Sequence, residues 1–248
     1  MLVIFHKSKK RFIPSTHFHI TPLNENALLL SYGNLIDTAI NEKIIALHKV
    51  LTADPFQGFI ESVPAYASIA IFYNTVLIKQ HQINFFTAFD FVKDYVLKLA
   101  TEVNISAAHE STDKIIIPVY YNGEDLKDVA NLHQLSINEV IKIHTEVTYH
   151  VFMTGFLPGF AYMGTVNEKI ITPRKEKPRL HVAAGSVGIA GAQTGIYPVD
   201  SPGGWQIIGN TPLKIFNKAE INPCLLKAGD SVQFVAIDKN EFEKLNEY

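Results

Sequence analysis

The sequence has 248 residues but only one cysteine, Cys224, and one tryptophan, Trp205. One thiol cannot close a disulfide within the chain. Packing and hydrogen bonds must then hold the fold, which suits a reducing, cytoplasmic setting. An excess of charge is also missing: 22 Lys and Arg stand against 24 Asp and Glu, for a net charge of −2. That balance gives no bulk attraction to nucleic acid or to a membrane surface. No apolar run approaches the roughly 18 residues of a membrane span. The opening MLVIFHKSKKRF places its apolar residues before its basic ones, the reverse of a secretory signal.

Several catalytic signatures are absent. Neither GxxxxGK[ST] nor GxGxxG occurs, so nucleotide chemistry would need an atypical site or another chain. GSVG at Gly185–Gly188 lacks the spacing of a nucleophile elbow, which leaves Ser186 as a turn or barrel residue. The ten histidines show no zinc-ligand spacing; no metal site is expected, and His144 and His150 read as structural. Cys224, directly after Pro223, reads as a small buried apolar residue.

What the chain does have is core-forming material. Hydrophobic residues make up 47%, with 16 Phe and 10 Tyr, a composition that argues against disorder. The length fits one large or two modest domains. In the first half, Ala27–Tyr32 and Ile69–Tyr73 read as strands. Ile36, Ile40, Ile44, Leu47 and Leu51 recur at helical spacing, as do Phe85, Phe89, Val92, Val96 and Leu99. A polar stretch from Asn104 to Lys114 marks a domain boundary, giving residues 1–104 and 105–248. The second half opens with a strand at Lys114–Tyr120. Two short helices follow, at Asp125–Leu132 and Ile137–His144, the second with a capping box in Ser136 and Glu139. Short β-prone runs then alternate with Gly/Pro turns: Tyr149–Met153, Gly185–Ala190, Gln206–Ile208, Leu213–Phe216 and Ser231–Ile237. Many short strands so spaced predict a barrel or sandwich. The helix pair resembles a helix-turn-helix, but Glu124, Asp125, Asp128 and Glu139 outnumber Lys127 and Lys142, so a structural hairpin is favoured over a DNA reader.

The region from Gly155 to Thr211 concentrates candidate function. GFLPGFAYMG holds Phe156, Pro158, Gly159, Phe160 and Tyr162. Glycine lets backbone approach a ligand closely, proline stiffens the loop and aromatics give a rigid apolar wall. PRKEKPR puts Arg174 and Arg179 each directly after a proline, a setting suited to binding carboxylate or phosphate. Downstream stand Ser186, Gln193, Thr194, Tyr197, Ser201, Gly203, Gly204 and Trp205. The pattern fits two readings: a preorganised, mostly apolar pocket, or a set of tight barrel turns with exposed arginines.

The same residues carry a resemblance. GFLPGFAYMG, PRKEKPR, AAGSVGIAGAQTGIYP and SPGGWQIIGNTP are similar, in order and spacing, to the signature of the family of bacterial 5-oxoprolinase B subunits, which includes the sporulation kinase A inhibitor and allophanate hydrolase subunit 1. TPLNENALLLSYG, ESVPAYASIAIFY and PVYYNGEDLKDVANLHQLSINEVIKIH also match, so the resemblance spans roughly residues 17 to 237. Residues 1–16 have no counterpart. It implies an α+β protein, with a small α/β N-terminal domain followed by a cyclophilin-like β-barrel. It implies a C subunit of related barrel architecture as partner and, together with an A subunit, ATP-dependent opening of 5-oxo-L-proline to L-glutamate. ATP would be used by the assembled complex. Other uses of the signature are inhibition of a sensor histidine kinase and half of a biotin-dependent carboxyltransferase. Ala183, Ala192 and Asn210 replace a usual proline, a usual glycine and a frequent arginine; the last exchange would reduce local anion binding. Within this frame Arg174 and Arg179 are expected to bind an anion or a partner and to contribute little to folding. The Gly155 and Trp205 loops are expected to border one depression. No catalytic residue is assigned, and Asp200 and Glu168 are the only candidate bases.

Overall fold

The computed structural model describes residues 17–82, 84–102 and 114–247. The boundary expected at 104/105 and the opening basic segment lie outside the described residues. Among the described residues, no helix is long and apolar enough to cross a membrane.

The first sheet is fully antiparallel. Its strands β1 (His19–Asn24), β2 (Ala27–Ser31), β3 (Phe59–Pro64) and β4 (Ser68–Tyr73) run in the order β1-β2-β4-β3. β4 alternates strictly, with Ile69, Ile71 and Tyr73 buried and their neighbours half-buried, as a strand covered on one face should. Helix α1 (Thr38–Ala53) lies on that face through Ile40, Ile44, Leu47 and Leu51. Asp37 caps it by accepting from the Ile40 amide at 2.9 Å. Two further helices, α2 (Thr75–His81) and α3 (Ala88–Glu102), complete this layer; Val92 and Val96 of α3 enter the same core. Periodicity does not predict α2, because seven residues give too short a window for a helical repeat.

The second sheet is a nearly closed barrel. Its strands are β5 (Ile115–Val119), β6 (Thr148–Thr154), β7 (Ala161–Gly164), β9 (Ser186–Ala190), β10 (Gln193–Ile196), β12 (Gln206–Asn210) and β13 (Ser231–Ala236). They run in the order β12-β9-β10-β7-β6-β13-β5, and only β5 and β13 pair in parallel. The two ends meet where Tyr120 and Asn210 exchange backbone hydrogen bonds, each 2.9 Å. Closure of this kind leaves no free edge along the join. A separate pair, β8 (Arg179–Val182) with β11 (Ser201–Gly203), sits outside the barrel sheet. The α+β class and the barrel agree with expectation. Leu213–Phe216 does not: it forms no strand, and Phe216 makes a single bridge to Cys224. Pro212 has no amide to offer a ladder there. Cys224 itself is exposed, not buried.

Helices α4 (Leu126–Leu132) and α5 (Ile137–Thr145) plug one side of the barrel, and α6 (Lys239–Asn246) ends the described chain. The capping box at Ser136 and Glu139 is present. From α5, His144 is driven fully into the core and stacks on Phe234 with ring centroids 4.7 Å apart. The Thr194 hydroxyl donates to the Gly188 carbonyl, so His144 Nε2 must donate to Thr194 Oγ1 at 3.0 Å. His144 Nδ1 then accepts from the Tyr121 hydroxyl at 2.7 Å. This network needs a neutral ring, and burial pushes the His144 pKa down to about 3. Between pH 6.5 and 3 the unfolded chain therefore binds a proton that the folded chain refuses, and stability falls as pH drops. Wild type should lose about 2 kcal/mol more between pH 7 and pH 5 than His144→Gln does. Chemical denaturation of both at the two pH values checks this.

Candidate functional site

The residues Gly155–Phe160 form a tight loop closed at both ends: the Gly155 amide donates to the Phe160 carbonyl at 3.1 Å, and the Phe160 amide to the Leu157 carbonyl at 3.0 Å. Phe156 sits in the left-handed region at φ +70, 68% exposed, with its ring edge-on to Phe160 at 5.9 Å. A side chain in that region carries a steric cost of about 1–2 kcal/mol, which the loop closure offsets. Beneath it lies a small apolar cluster of Phe160, Val182, Ala190, Tyr197, Trp205 and Ile207. Phe160 packs edge-on against Trp205 at 5.4 Å and against Tyr197 at 5.3 Å. Two glycines make room for these rings. A Cβ at Gly195 would lie 3.1 Å from the Trp205 ring, and one at Gly203 would overlap the Tyr197 phenol.

Above this cluster opens a cavity of about 560 Å³. The 171–178 loop supplies its cation and is fastened at four points. Gly191 donates to the Thr172 carbonyl at 2.7 Å, and Gln206 Nε2 to the Pro173 carbonyl at 2.9 Å. The Lys175 amide donates to the Gly204 carbonyl at 2.8 Å, and Lys175 Nζ lies 2.7 Å from Asp125 Oδ1. Arg174, between these anchors, runs past Gly204 into the cavity wall. No ion pair or hydrogen bond engages its guanidinium among the described residues. Burial pushes the Tyr162 and Tyr197 phenols up, and Arg174 pulls both back, which locates its charge beside them. Both phenols therefore stay neutral donors near pH 7.

Arg179 has a different fate. Its Nη2 meets both oxygens of Asp125 at 2.6 and 2.7 Å, its Nε meets Glu124 at 2.6 Å, and its Nη1 donates to the Trp205 carbonyl at 3.3 Å. Asp125 is 2% exposed and also accepts from the Ile207 amide at 2.7 Å. The expectation that Arg179 contributes little to folding is thus corrected: its fork is spent on a buried carboxylate, on Glu124 and on a backbone carbonyl, and it lies off the cavity wall. Asp125 starts α4 without capping it, because its side chain is turned to this cluster. Sequence reading counts Asp125 only as an acidic residue; nothing local marks its role.

The structure brings Phe156, Phe160, Tyr162, Arg174, Gln193, Tyr197, Gly203, Gly204 and Trp205 around one cavity, with the Gly155 and Trp205 loops on its border. It leaves Pro158, Gly159, Ser186, Thr194 and Ser201 off the wall. Ser186, Thr194 and Ser201 are buried. Gly159 turns the loop at φ +84. Among the described residues, the wall holds no carboxylate and no histidine. Asp200 instead accepts from the Ala184 amide at 2.8 Å and contacts His181 at 3.2 Å, bonds that lower its pKa. Glu168 is exposed on a single 3-10 turn. Asn210 closes the barrel and does not line the cavity.

A family model described as carboxyltransferase domain, subdomain C and D, matches residues 18–226. The 5-oxoprolinase B subunit of Bacillus subtilis (strain 168) is 41% identical over 238 residues, covering 94% of this chain and 98% of that protein. The chain belongs to the family of 5-oxoprolinase B subunits. The B subunit of the same name from Haemophilus influenzae is 38% identical over 220 residues, covering 88% of this chain and 97% of its own. Among solved structures, that of TTHA0988 superposes with a TM-score of 0.73 at 31% identity; it covers 86% of this chain, which spans only 40% of that longer one. Within this family frame the cavity is the feature to explain, and the two arginines separate its binding from its folding. Arg179→Ala and Asp125→Ala should each lower the unfolding free energy by about 3 kcal/mol, while Arg174→Ala should stay within about 0.5 kcal/mol of wild type. Denaturant titrations of the three variants measure the difference.

Proposed function

We propose that the chain is the component of an ATP-dependent 5-oxoprolinase that binds and orients the small cyclic amide acid, acting with the A and C subunits to open 5-oxo-L-proline to L-glutamate. The observation that carries this reading is the composition of the cavity wall: one guanidinium without an ion pair or hydrogen bond, neutral phenols, a carboxamide and a rigid aromatic floor, with no carboxylate or histidine among the described residues. Such a wall suits a compact ring bearing one carboxylate. Arg174 faces the carboxylate, and Phe160, Tyr162 and Trp205 pack the ring. The names of the relatives support the role of one component in a larger enzyme.

Opening a lactam requires water to add at the carbonyl carbon and the carbon–nitrogen bond to break. The ring amide is resonance-stabilised, so its oxygen must be activated, which is the work ATP supplies. The described residues offer no site that fits a nucleotide. Five described helix N-termini are occupied by their own side chains, Asp37, Asn74, Thr87 with Asp90, Ser136 and Asp238; at α4 the Asp125 side chain makes no cap, but its buried carboxylate places a negative charge at that end. A phosphate would meet no free amide array there. Lys175 and Arg179 are committed to Asp125. No step through the nucleotide is therefore assigned to this chain; the phosphate-binding groups and the base belong to the partners.

The isolated chain should release no glutamate from 5-oxoproline. In the complex reconstituted with the A and C subunits, Arg174→Ala should raise KM for 5-oxoproline about 10- to 100-fold, the loss of one charge-assisted bond. Steady-state assays of ATP-dependent glutamate release test both. Turnover by the chain alone, or an unchanged KM in the variant complex, contradicts the reading.

A further inference from the structure

One residue of the first sheet reaches the cavity region of the barrel. The turn between β3 and β4 carries Tyr66, whose ring stacks on Phe152 with centroids 5.3 Å apart and meets the edge of Tyr162 at 6.3 Å. Its phenol oxygen accepts a hydrogen bond from Gln193 Nε2. Buried Asn41 holds the turn in place: its Nδ2 contacts the carbonyls of Ala65 at 2.9 Å, Tyr66 at 3.1 Å and Phe152 at 3.0 Å, and its Oδ1 pairs with His150 Nε2 at 2.7 Å. The turn is thereby tied to β6 of the barrel through backbone, side chain and ring.

The consequence falls on Gln193. A free carboxamide can present either its oxygen or its nitrogen to a ligand by flipping. In the structure the nitrogen lies against the Tyr66 oxygen and the carboxamide oxygen has no hydrogen-bond partner among the described residues, so in this orientation the oxygen is the atom left to accept a bond. Gln193 lines the cavity together with Tyr162 and Arg174. We propose that Tyr66 is a positioning residue that fixes Gln193 as a hydrogen-bond acceptor in the cavity, so that the site selects small carboxylates carrying an N–H donor over isosteres without one. This rests on the reading of the cavity as the site of a cyclic amide acid. It adds the basis of discrimination: Arg174 takes the carboxylate, and Gln193 Oε1 takes the ring N–H. A site built around a fixed acceptor rejects an analogue that brings an opposing oxygen, because two acceptors then face each other unpaired.

The test uses the full chain and two ligands of equal size and charge: 5-oxoproline, and the lactone acid in which ring oxygen replaces the N–H. Calorimetric titration of wild type should show the lactam bound roughly three- to tenfold more tightly than the lactone. Tyr66→Phe keeps both ring contacts but releases the amide, and should bring the ratio to about one by weakening the lactam while leaving the lactone unchanged. Gln193→Met should do the same from the other side of the bond. A thermal melt of each variant shows that it is folded. A preference retained in either folded variant overturns the role of Tyr66. If neither ligand binds wild type in a manner lost with Arg174→Ala, the cavity reading itself fails, and this inference with it.

Discussion

Asp125 is the charge on which the functional half of the molecule depends. One buried carboxylate accepts from Arg179, Lys175 and the Ile207 amide, and so joins the first turn of α4, strand β8, the 171–178 loop and strand β12. Removing a carboxylate from water is expensive, and it is tolerated only where partners satisfy its lone pairs. Here two cations and a backbone amide do so. The arrangement recruits Lys175 and Arg179 on either side of a proline-rich loop. Arg174 alone keeps an uncommitted guanidinium on the cavity wall.

This arrangement separates holding from binding within one seven-residue segment. The neighbours of Arg174 fasten the loop, which lowers the ordering cost of placing a charged side chain beside an aromatic floor. Phe160, Tyr197 and Trp205 form that floor as a cluster of their own, packed edge to face. Glycines at 195 and 203 admit the large rings: a Cβ at 203 would overlap the Tyr197 phenol, and one at 195 would crowd Trp205 and Phe160. The rest of the barrel core, with His144 neutral among Tyr121, Thr194 and Phe234, lies apart from the cavity and serves stability. The first sheet contributes through Tyr66, which crosses from one sheet to the other and contacts Gln193.

Much of this is legible in local sequence. The runs ALLLSY and IAIFY have the β-branched and aliphatic content of buried strands, and both are strands. Ser136 and Glu139 mark a helix start that the structure contains. The Gly/Pro/aromatic segments that stand out in composition do gather around one cavity. What stays hidden depends on distance along the chain. Asp125 meets Arg179 across 54 residues, and Tyr66 meets Gln193 across 127. No periodicity or motif encodes such a meeting. Strands β7, β10 and β11 escape a local reading for a related reason. Sequences such as QTGI and SPG carry little intrinsic β preference, and their neighbours in the sheet decide their conformation. Arg174 and Arg179 look alike in sequence, each after a proline; only a carboxylate from a distant helix start tells them apart.

Trp205, the single tryptophan of the chain, lies in the cavity wall and gives the central claim a direct reporter. Titrating the full chain with 5-oxoproline while following tryptophan fluorescence should give a saturable change in wild type, and none at the same concentrations in Arg174→Ala. A flat response in wild type, or an identical curve in the variant, would contradict the account of this cavity as an arginine-anchored site for a small carboxylate.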